Sequence, residues 1–249
     1  MNHPTLRPFL IALITAAAAL IVVWGGLQIY GRWHDDWSGY TASVTVSDGW
    51  CNIAVLPIIG DVLAYAGANK DGLTVESDLP PSTNPDDVEF MLGQAEANPY
   101  VLGLLVRIDS PGGSPIGGEM IANAIKRSSL PSAAVVGDIA ASSGYLIASG
   151  ADTIIASPFS DVGSIGVTMS YLEYSQQNET DGLNFVSLAS GEFKDYMNPD
   201  KPLTAGERTL LERDLKVWHD YFVELVAENR NLPTEQVTAL ADGSSMPGA

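Results

Sequence analysis

The first long apolar stretch of the chain runs from Pro8 to Gly31 and contains no charged residue. A stretch of this length can cross a hydrocarbon layer of roughly 30 Å as one helix. A cleaved secretory signal is the alternative interpretation, because Arg7 precedes the stretch and small residues occupy positions 16–19. The apolar run continues well beyond those small residues. We therefore predict an uncleaved anchor, with a terminal tip and a juxtamembrane segment beside it in residues 1–40.

Residues 41–249 are predicted to form one domain, in which short apolar runs alternate with helical patterns. The predicted strands cover residues 53–59, 101–108, 133–136, 153–156 and 184–188. One helix is predicted after Pro85, and others cover residues 118–126, 144–149, 172–178 and 204–229. In the last helix, Thr204 and Glu207 have the spacing of a capping box. This alternation is typical of an α/β domain with mainly parallel strands.

The charge balance excludes one class of function. The chain has 12 Lys and Arg residues against 30 Asp and Glu residues, a formal net charge of −18. A nucleic-acid partner is not expected, because phosphate neutralisation requires a basic surface. Cys51 is the only cysteine, and the histidines are His3, His34 and His219. None of the three histidines falls in a loop of residues 41–249, so we predict neither a histidine-based triad nor a metal site.

Two glycine-containing turns, at residues 109–113 and 137–143, join a predicted strand to a predicted helix. Plain turn formation is one explanation of both. The second turn leads into a pair of serines, Ser142 and Ser143, where a helix should begin. A hydroxyl there would lie beside backbone N–H donors and the positive helix end, which suits a nucleophile.

Lysine is the remaining candidate for the base, since histidine is scarce. The lysines of the predicted domain are Lys70, Lys126, Lys194, Lys201 and Lys216. Lys194 differs from the others because it follows a strand and a glycine turn and lies between Phe193 and Tyr196. Partial burial would favour the neutral amine that a base requires. A solvated loop lysine is the alternative interpretation.

Four motifs occur in a fixed order: RIDSPGG at residues 107–113, AASSGY at 140–145, GSIGV at 163–167 and SGEFKD at 190–195. Together they resemble the half-length signal peptide peptidase A family, the membrane-anchored relatives of protease IV. The resemblance covers residues 53–243. It implies a serine endopeptidase with a Ser-Lys dyad and an acyl-enzyme. It also implies a Clp-protease-like and crotonase-like α/β fold of stacked β-β-α units.

The resemblance assigns roles to residues of three motifs. The usual family elbow is ASGGY, so the nucleophile corresponds to Ser142 and Ser143 occupies a position that is glycine in the family. The base corresponds to Lys194, in agreement with the search among the lysines. The serine of the GSxGV segment corresponds to Ser164, whose hydroxyl would orient the lysine amine.

The resemblance further implies an oxyanion hole and no cofactor. The SPGG turn, with Gly112 and Gly113, would contribute one backbone N–H. The elbow would contribute a second donor, either Ser143 or Gly144. No metal takes part in this chemistry.

Substrates and location also follow from the resemblance. The family degrades cleaved signal peptides and other short hydrophobic peptides at the membrane. Its members have a cytoplasmic N-terminal tip and a single membrane span, with the catalytic domain outside the cytoplasm. They assemble into a homo-oligomeric ring or dome, commonly an octamer, in which neighbouring chains can complete one another's sites.

Two other functions are also compatible with the sequence. A catalytically silent membrane scaffold would keep the fold without turnover, and the serine at position 143 makes this possible. A crotonase-type acyl-CoA enzyme would share the fold class but would give the Ser142 and Lys194 pair no role. Relatives continue beyond the ADG segment at residues 241–243, so we expect the domain to be truncated at its C-terminus.

Overall fold

One seven-stranded sheet organises the computed structural model, which describes residues 52–65 and 81–248. The strands are β1 (Ile53–Val62), β2 (Ser82–Thr83), β3 (Gly103–Gly113), β4 (Ser132–Ala141), β5 (Thr153–Ile155), β6 (Asp161–Gly163) and β7 (Ser245–Pro247). The helices are α1 (Pro85–Ala97), α2 (Pro115–Arg127), α3 (Ser143–Ser149), α4 (Ser175–Thr180), α5 (Ala205–Arg230) and α6 (Thr234–Thr238). The described residues therefore confirm the α/β class.

The strands lie in the order β2-β1-β3-β4-β6-β7, and β5 also pairs with β4. All of the pairings are parallel except β6 with β7, which is antiparallel. One edge of β4 is paired with β3, and the other edge with β5 and then with β6. In this register Ala141 lies opposite Gly163, so the last residues of β4 and β6 are neighbours.

The helix starts follow from local chemistry. Asn84 caps α1 and Ser114 caps α2, and in each case a proline occupies the first helical position. The predicted capping box of α5 is confirmed. Thr204 Oγ1 accepts from the Glu207 N–H at 3.2 Å, and Glu207 Oε2 accepts from the Thr204 N–H at 2.9 Å.

Two hydrophobic clusters stabilise the domain. The first joins β1, β3 and β4 to α1, α2 and α3, with Leu56, Ile58, Ile108 and Ile147 fully buried. The second lies between α3 and α5. Helix α3 contributes Ile147 and Ala148 to the first cluster and Leu146 to the second, so the helix is held from two sides.

The structure corrects several local predictions. Residues 184–188 form no strand, and Leu188 is 95% exposed, because no sheet edge pairs with this segment. The helix predicted at 172–178 begins later, at Ser175. Both predicted glycine-containing turns lie largely within strands: residues 137–141 continue β4, and residues 109–113 are the last residues of β3. Within β4, Gly137 packs closely on Asp109, since a Cβ at position 137 would lie 3.1 Å from Asp109 Oδ2.

The predicted anchor, Pro8 to Gly31, lies outside the described residues, as does Cys51. Within residues 52–65 and 81–248, no helix has both the length and the apolar character needed to cross a membrane.

Candidate active site

The SPGG turn at the end of β3 is fastened to β1 by a serine. The Ser110 side chain is fully buried, and its hydroxyl donates to the Gly60 carbonyl oxygen at 2.6 Å. Ser110 Oγ in turn accepts from the Gly112 N–H at 3.1 Å. Ser110 was not among the predicted site residues. The only available signal was a small hydroxyl residue directly before the Pro-Gly-Gly turn.

The amide of Gly113 is directed towards the start of α3. The Ser114 N–H donates to the Val62 carbonyl oxygen at 2.7 Å, on the β1 side of β3. Successive residues of a strand direct their amides to opposite edges, so the Gly113 amide faces away from β1. The Gly113 carbonyl oxygen accepts from Ser143 Oγ at 3.2 Å, in agreement with this direction. Of the two predicted glycine donors, the Gly112 N–H is therefore engaged by Ser110, and Gly113 is the better-directed one.

Ser142, the predicted nucleophile, lies at a strained turn between β4 and α3. Its φ and ψ angles are 53° and −124°, which non-glycine residues rarely adopt. Such a conformation costs about 1–3 kcal/mol and persists only when the surroundings impose it. The Ser142 N–H donates to the Gly163 carbonyl oxygen at 2.9 Å, and its own carbonyl oxygen accepts from the Leu146 N–H at 3.0 Å. These backbone bonds hold the turn.

The side chain of Ser142 is half-buried and caps no amide of α3. Its hydroxyl makes no hydrogen bond to another residue in the described part of the chain. The first amides of a helix have no intrahelical acceptor, so those of Ser143 and Gly144 are available beside this hydroxyl. The predicted nucleophile and both predicted elbow donors are thus brought together.

Three glycines make this close packing possible. A Cβ on Gly112 would lie 2.8 Å from the Ser142 Cβ and 3.0 Å from the Ser143 nitrogen. A Cβ on Gly144 would lie 2.7 Å from the Ser110 carbonyl oxygen. A Cβ on Gly118 would lie 2.8 Å from the Ser143 Cβ. Gly118 was not predicted as a site residue, and it explains how α2 accommodates a serine at position 143.

A cleft of about 680 Å³ opens beside the glycine turn. It is lined by residues 61–65, at the end of β1, and by residues 111–114. An extended chain in this cleft would pass Gly112 and Gly113.

Ser164 lies next to the Ser142 turn but faces the C-terminal segment. It has a positive φ of 51°. Its hydroxyl donates to the Gly243 carbonyl oxygen at 3.0 Å, and its N–H donates to the Ser244 carbonyl oxygen at 2.9 Å. Ser164 is therefore hydrogen-bonded to the end of the described chain and forms no hydrogen bond to Lys194.

Lys194 lies on an exposed turn, where its N–H donates to the Gly191 carbonyl oxygen at 3.1 Å. Within the described residues its ammonium group forms neither a hydrogen bond nor an ion pair. The other described lysines are bonded to carboxylates: Lys126 to Glu228, Lys201 to Glu207 and Lys216 to Asp220. The structure thus leaves the Lys194 side chain directed to solvent and does not join it to Ser142.

The residue after Lys194 is held by side-chain hydrogen bonds. The Asp195 carboxylate accepts from Asn198 Nδ2 at 3.0 Å and from Ser187 Oγ at 2.7 Å. These bonds, that of Asn198 first, hold the pKa of Asp195 below its usual value. The Lys194 turn is therefore ordered by its neighbours, although the lysine side chain is free.

Comparison with known proteins agrees with the motifs. The model of peptidase family S49 matches residues 124–248, which include Ser142, Ser164 and Lys194. A provisionally named signal peptide peptidase SppA of Enterococcus faecium is 34% identical over 160 residues, covering 63% of this chain and 46% of that protein. Protease 4 of Salmonella typhi is 28% identical over 195 residues, covering 75% of this chain and 30% of that protein.

The chain spans about half the length of the first relatives it matches. Among solved structures, a mutant of ClpP1 from Listeria monocytogenes is similar to 76% of this chain, at 16% identity and a TM-score of 0.44. The family model and the names of these relatives are those of peptidases, and the Ser142 turn has a geometry that suits a peptidase nucleophile. The chain belongs to peptidase family S49, the family of the SppA and protease 4 peptidases.

Proposed function

We propose that the chain is a membrane-anchored serine endopeptidase with Ser142 as nucleophile and Lys194 as general base. The observation that carries this proposal is the Ser142 turn. A serine in a rare backbone conformation, at the start of a helix and in close contact with a glycine of positive φ, suits an exposed and activated hydroxyl. Membership of peptidase family S49 supports the reaction class.

In the proposed reaction, the neutral Lys194 amine accepts the hydroxyl proton while Ser142 Oγ attacks a peptide carbonyl carbon. The resulting oxyanion accepts hydrogen bonds from the Gly113 amide and from the Ser143 or Gly144 amide. The protonated lysine then gives its proton to the leaving amine as the C–N bond breaks. Water attacks the acyl-enzyme carbonyl carbon while Lys194 accepts a proton from it. The protonated lysine then returns that proton to Ser142 Oγ as the ester C–O bond breaks, which regenerates Ser142.

We place the dyad between neighbouring chains of a homo-oligomer. The exposure of Lys194 and its lack of a partner among the described residues support this arrangement. Apolar side chains near its turn are also exposed: Phe185 by 39%, Val186 by 68% and Leu188 by 95%. A neighbouring chain packed on this surface would cover them and bring Lys194 to another Ser142. The assembly we propose is the family's ring or dome, commonly an octamer.

The proposed substrates are cleaved signal peptides and other short hydrophobic peptides. The cleft beside Gly112 and Gly113 supports an extended peptide as substrate. An anchor at Pro8 to Gly31 would hold the cleft near the membrane, with the domain outside the cytoplasm. The Enterococcus faecium relative, whose name is that of a signal peptide peptidase, supports this substrate class.

Complementation between inactive variants tests the dyad and its placement together. Ser142→Ala and Lys194→Ala, each folded and in detergent, should fail to cleave a fluorogenic peptide with small apolar residues before the scissile bond. Co-expression of the two variants should restore part of the activity, because each oligomer then contains intact Ser142 and Lys194 on different chains. Ser143→Ala should remain active and serves as the matched control. Restored activity is incompatible with a dyad within one chain.

A fluorophosphonate probe separates this function from the alternatives. Labelling that is lost in Ser142→Ala and retained in Ser143→Ala identifies an activated nucleophile. Folded wild-type protein that is not labelled and cleaves no peptide would instead favour the silent scaffold. Binding of acyl-CoA would favour the crotonase-type enzyme.

A further inference from the structure

The turn that carries Lys194 is attached at two points to the first turn of α5. On one side of Lys194, the Phe193 ring packs on Gly206, where a Cβ would lie 3.3 Å from Phe193 Cε1 and 3.7 Å from Cζ. On the other side, Lys201 forms an ion pair with Glu207. Residues 193–201 are therefore held at both ends by two consecutive residues of one helix.

The Glu207 carboxylate is buried and has several donors. It accepts from the Lys201 ammonium and, through Oε2, from the Thr204 N–H at 2.9 Å and the Thr204 hydroxyl at 3.0 Å. Its exposure is only 3%. A buried carboxylate with this many donors keeps a fixed position, so it gives Lys201 a rigid partner.

Between the two attachment points, side-chain hydrogen bonds continue to the residue beside Lys194. The Asp200 N–H donates to Asn198 Oδ1 at 2.9 Å, and Asn198 Nδ2 donates to Asp195 at 3.0 Å. Asn178 of α4 donates to Asp200 Oδ1 at 3.0 Å. Met197, inside this segment, has a positive φ of 60°. A strained non-glycine residue persists only where the surroundings impose it, so the attachments determine the backbone of the turn.

We propose that Gly206, Glu207 and Lys201 are positioning residues that set the place of the Lys194 amine for proton transfer. This inference rests on the proposed role of Lys194 as base. Lys201 is not the base in this arrangement, because its ammonium is committed to Glu207. Glycine at 206 lets the Phe193 ring pack closely on α5, since an added Cβ would lie 3.3 Å from Phe193 Cε1 and would shift the residue next to Lys194.

Gly206→Ala is the most specific test, because alanine has a higher helix propensity than glycine and the substitution removes no charge or hydrogen bond. The added Cβ should displace the partly exposed Phe193 by a few tenths of an ångström. We expect kcat to fall roughly 3- to 10-fold with KM nearly unchanged, since small displacements of a catalytic group slow the reaction. Gly93→Ala in α1 is the matched control, because a Cβ there has no neighbour within 4 Å; it should leave kcat unchanged.

A second pair of variants tests the ion pair. Lys201→Met should lower kcat and accelerate tryptic cleavage after Lys194, and Lys201→Arg should restore both values towards wild type. Lys216→Met, which removes an exposed ion pair of the same helix, should change neither. Tryptic cleavage is measured by mass spectrometry at a temperature well below the unfolding midpoint, and it reports the turn independently of peptidase activity. Lys194→Ala identifies the cleavage product.

The outcomes separate this inference from the proposed function. Full activity in Lys194→Ala would reject lysine as the base and the inference with it. If Lys194→Ala is inactive while Gly206→Ala and Lys201→Met match their controls in kcat and in cleavage rate, the dyad stands and the positioning role is overturned. Faster cleavage together with a lower kcat in both variants is the expected result.

Discussion

The Cβ atom of Ser142 lies 2.8 Å from the position that a Cβ on Gly112 would occupy. Gly112 also has a φ of +105°, which L side chains rarely adopt. Two requirements thus coincide at one residue, the turn geometry and the close approach of β3 to the start of α3. This contact places the glycine turn directly against the predicted nucleophile.

We therefore expect Gly112→Ala to lower the free energy of unfolding by about 2 kcal/mol, through backbone strain and collision with the elbow. Labelling of Ser142 by a fluorophosphonate should slow by about 100-fold, because displacement of the turn would move the adjacent Gly113 amide, and losing one oxyanion donor has an effect of that size. Denaturant unfolding and labelling rates measure the two effects. Gly93→Ala, on an open helix surface, controls for the loss of glycine. Equal labelling of both variants would remove the glycine turn from the site.

The serine at position 143 and the glycine at position 118 should be energetically coupled. Gly118→Ala alone should destabilise the protein by about 1–3 kcal/mol, because its Cβ would lie 2.8 Å from that of Ser143. In a Ser143→Gly background the same substitution should cost about 1 kcal/mol less. A double-mutant cycle from denaturant unfolding measures the difference. Strict additivity would show that the cost of Gly118→Ala does not come from its contact with the Ser143 side chain.

Glu207 should make stability depend on pH at the acid end. The Lys201 hydrogen bond, followed by the backbone bond from Thr204, lowers the pKa of Glu207 below its ordinary value of 4.5. A lowered pKa stabilises the folded state at pH values above 4.5, and this stabilisation is lost as the pH falls through the folded-state pKa. Glu207→Gln should therefore melt below wild type at pH 7, and the gap should narrow towards pH 3. A constant difference in melting temperature across that range would assign the effect to the changed hydrogen bonds of the amide rather than to the lost charge.

Much of the fold could be predicted because its signals are local. The capping box at Thr204 and the proline after Ser114 mark helix starts that depend on neighbouring residues alone. The segment at 184–188 could not be predicted correctly, because an apolar run forms a strand only where a sheet edge is available to it. The α/β class is confirmed, whereas the narrower Clp-protease-like and crotonase-like class stays a prediction.

The candidate site divides in the same way. Three consecutive residues of one motif, Ser142, Ser143 and Gly144, follow β4. They contact the SPGG turn because that turn ends β3, the strand that pairs with β4. Ser110 and Gly118 were missed, since their roles depend on contacts with Gly60 and Ser143 that are distant in sequence or lie between helices. The partner of Lys194 could not be derived from the order of residues along the chain, because a side chain directed to solvent can contact a residue of another copy of the chain.

Two substitutions at Ser164 distinguish a role in catalysis from a role in folding. Both Ser164→Ala and Ser164→Gly remove the hydroxyl that donates to Gly243, but only glycine also relieves the positive φ of 51°. Ser164→Ala should therefore lose about 1 kcal/mol of stability, and Ser164→Gly should recover part of it. If the hydroxyl also orients the Lys194 amine of a neighbouring chain, kcat should fall in both variants by the same factor, roughly 10-fold or more. Peptide hydrolysis and thermal unfolding, measured on the same preparations, separate the two effects. A kcat that follows stability, and returns to wild type in Ser164→Gly, would limit this hydroxyl to holding the C-terminal segment.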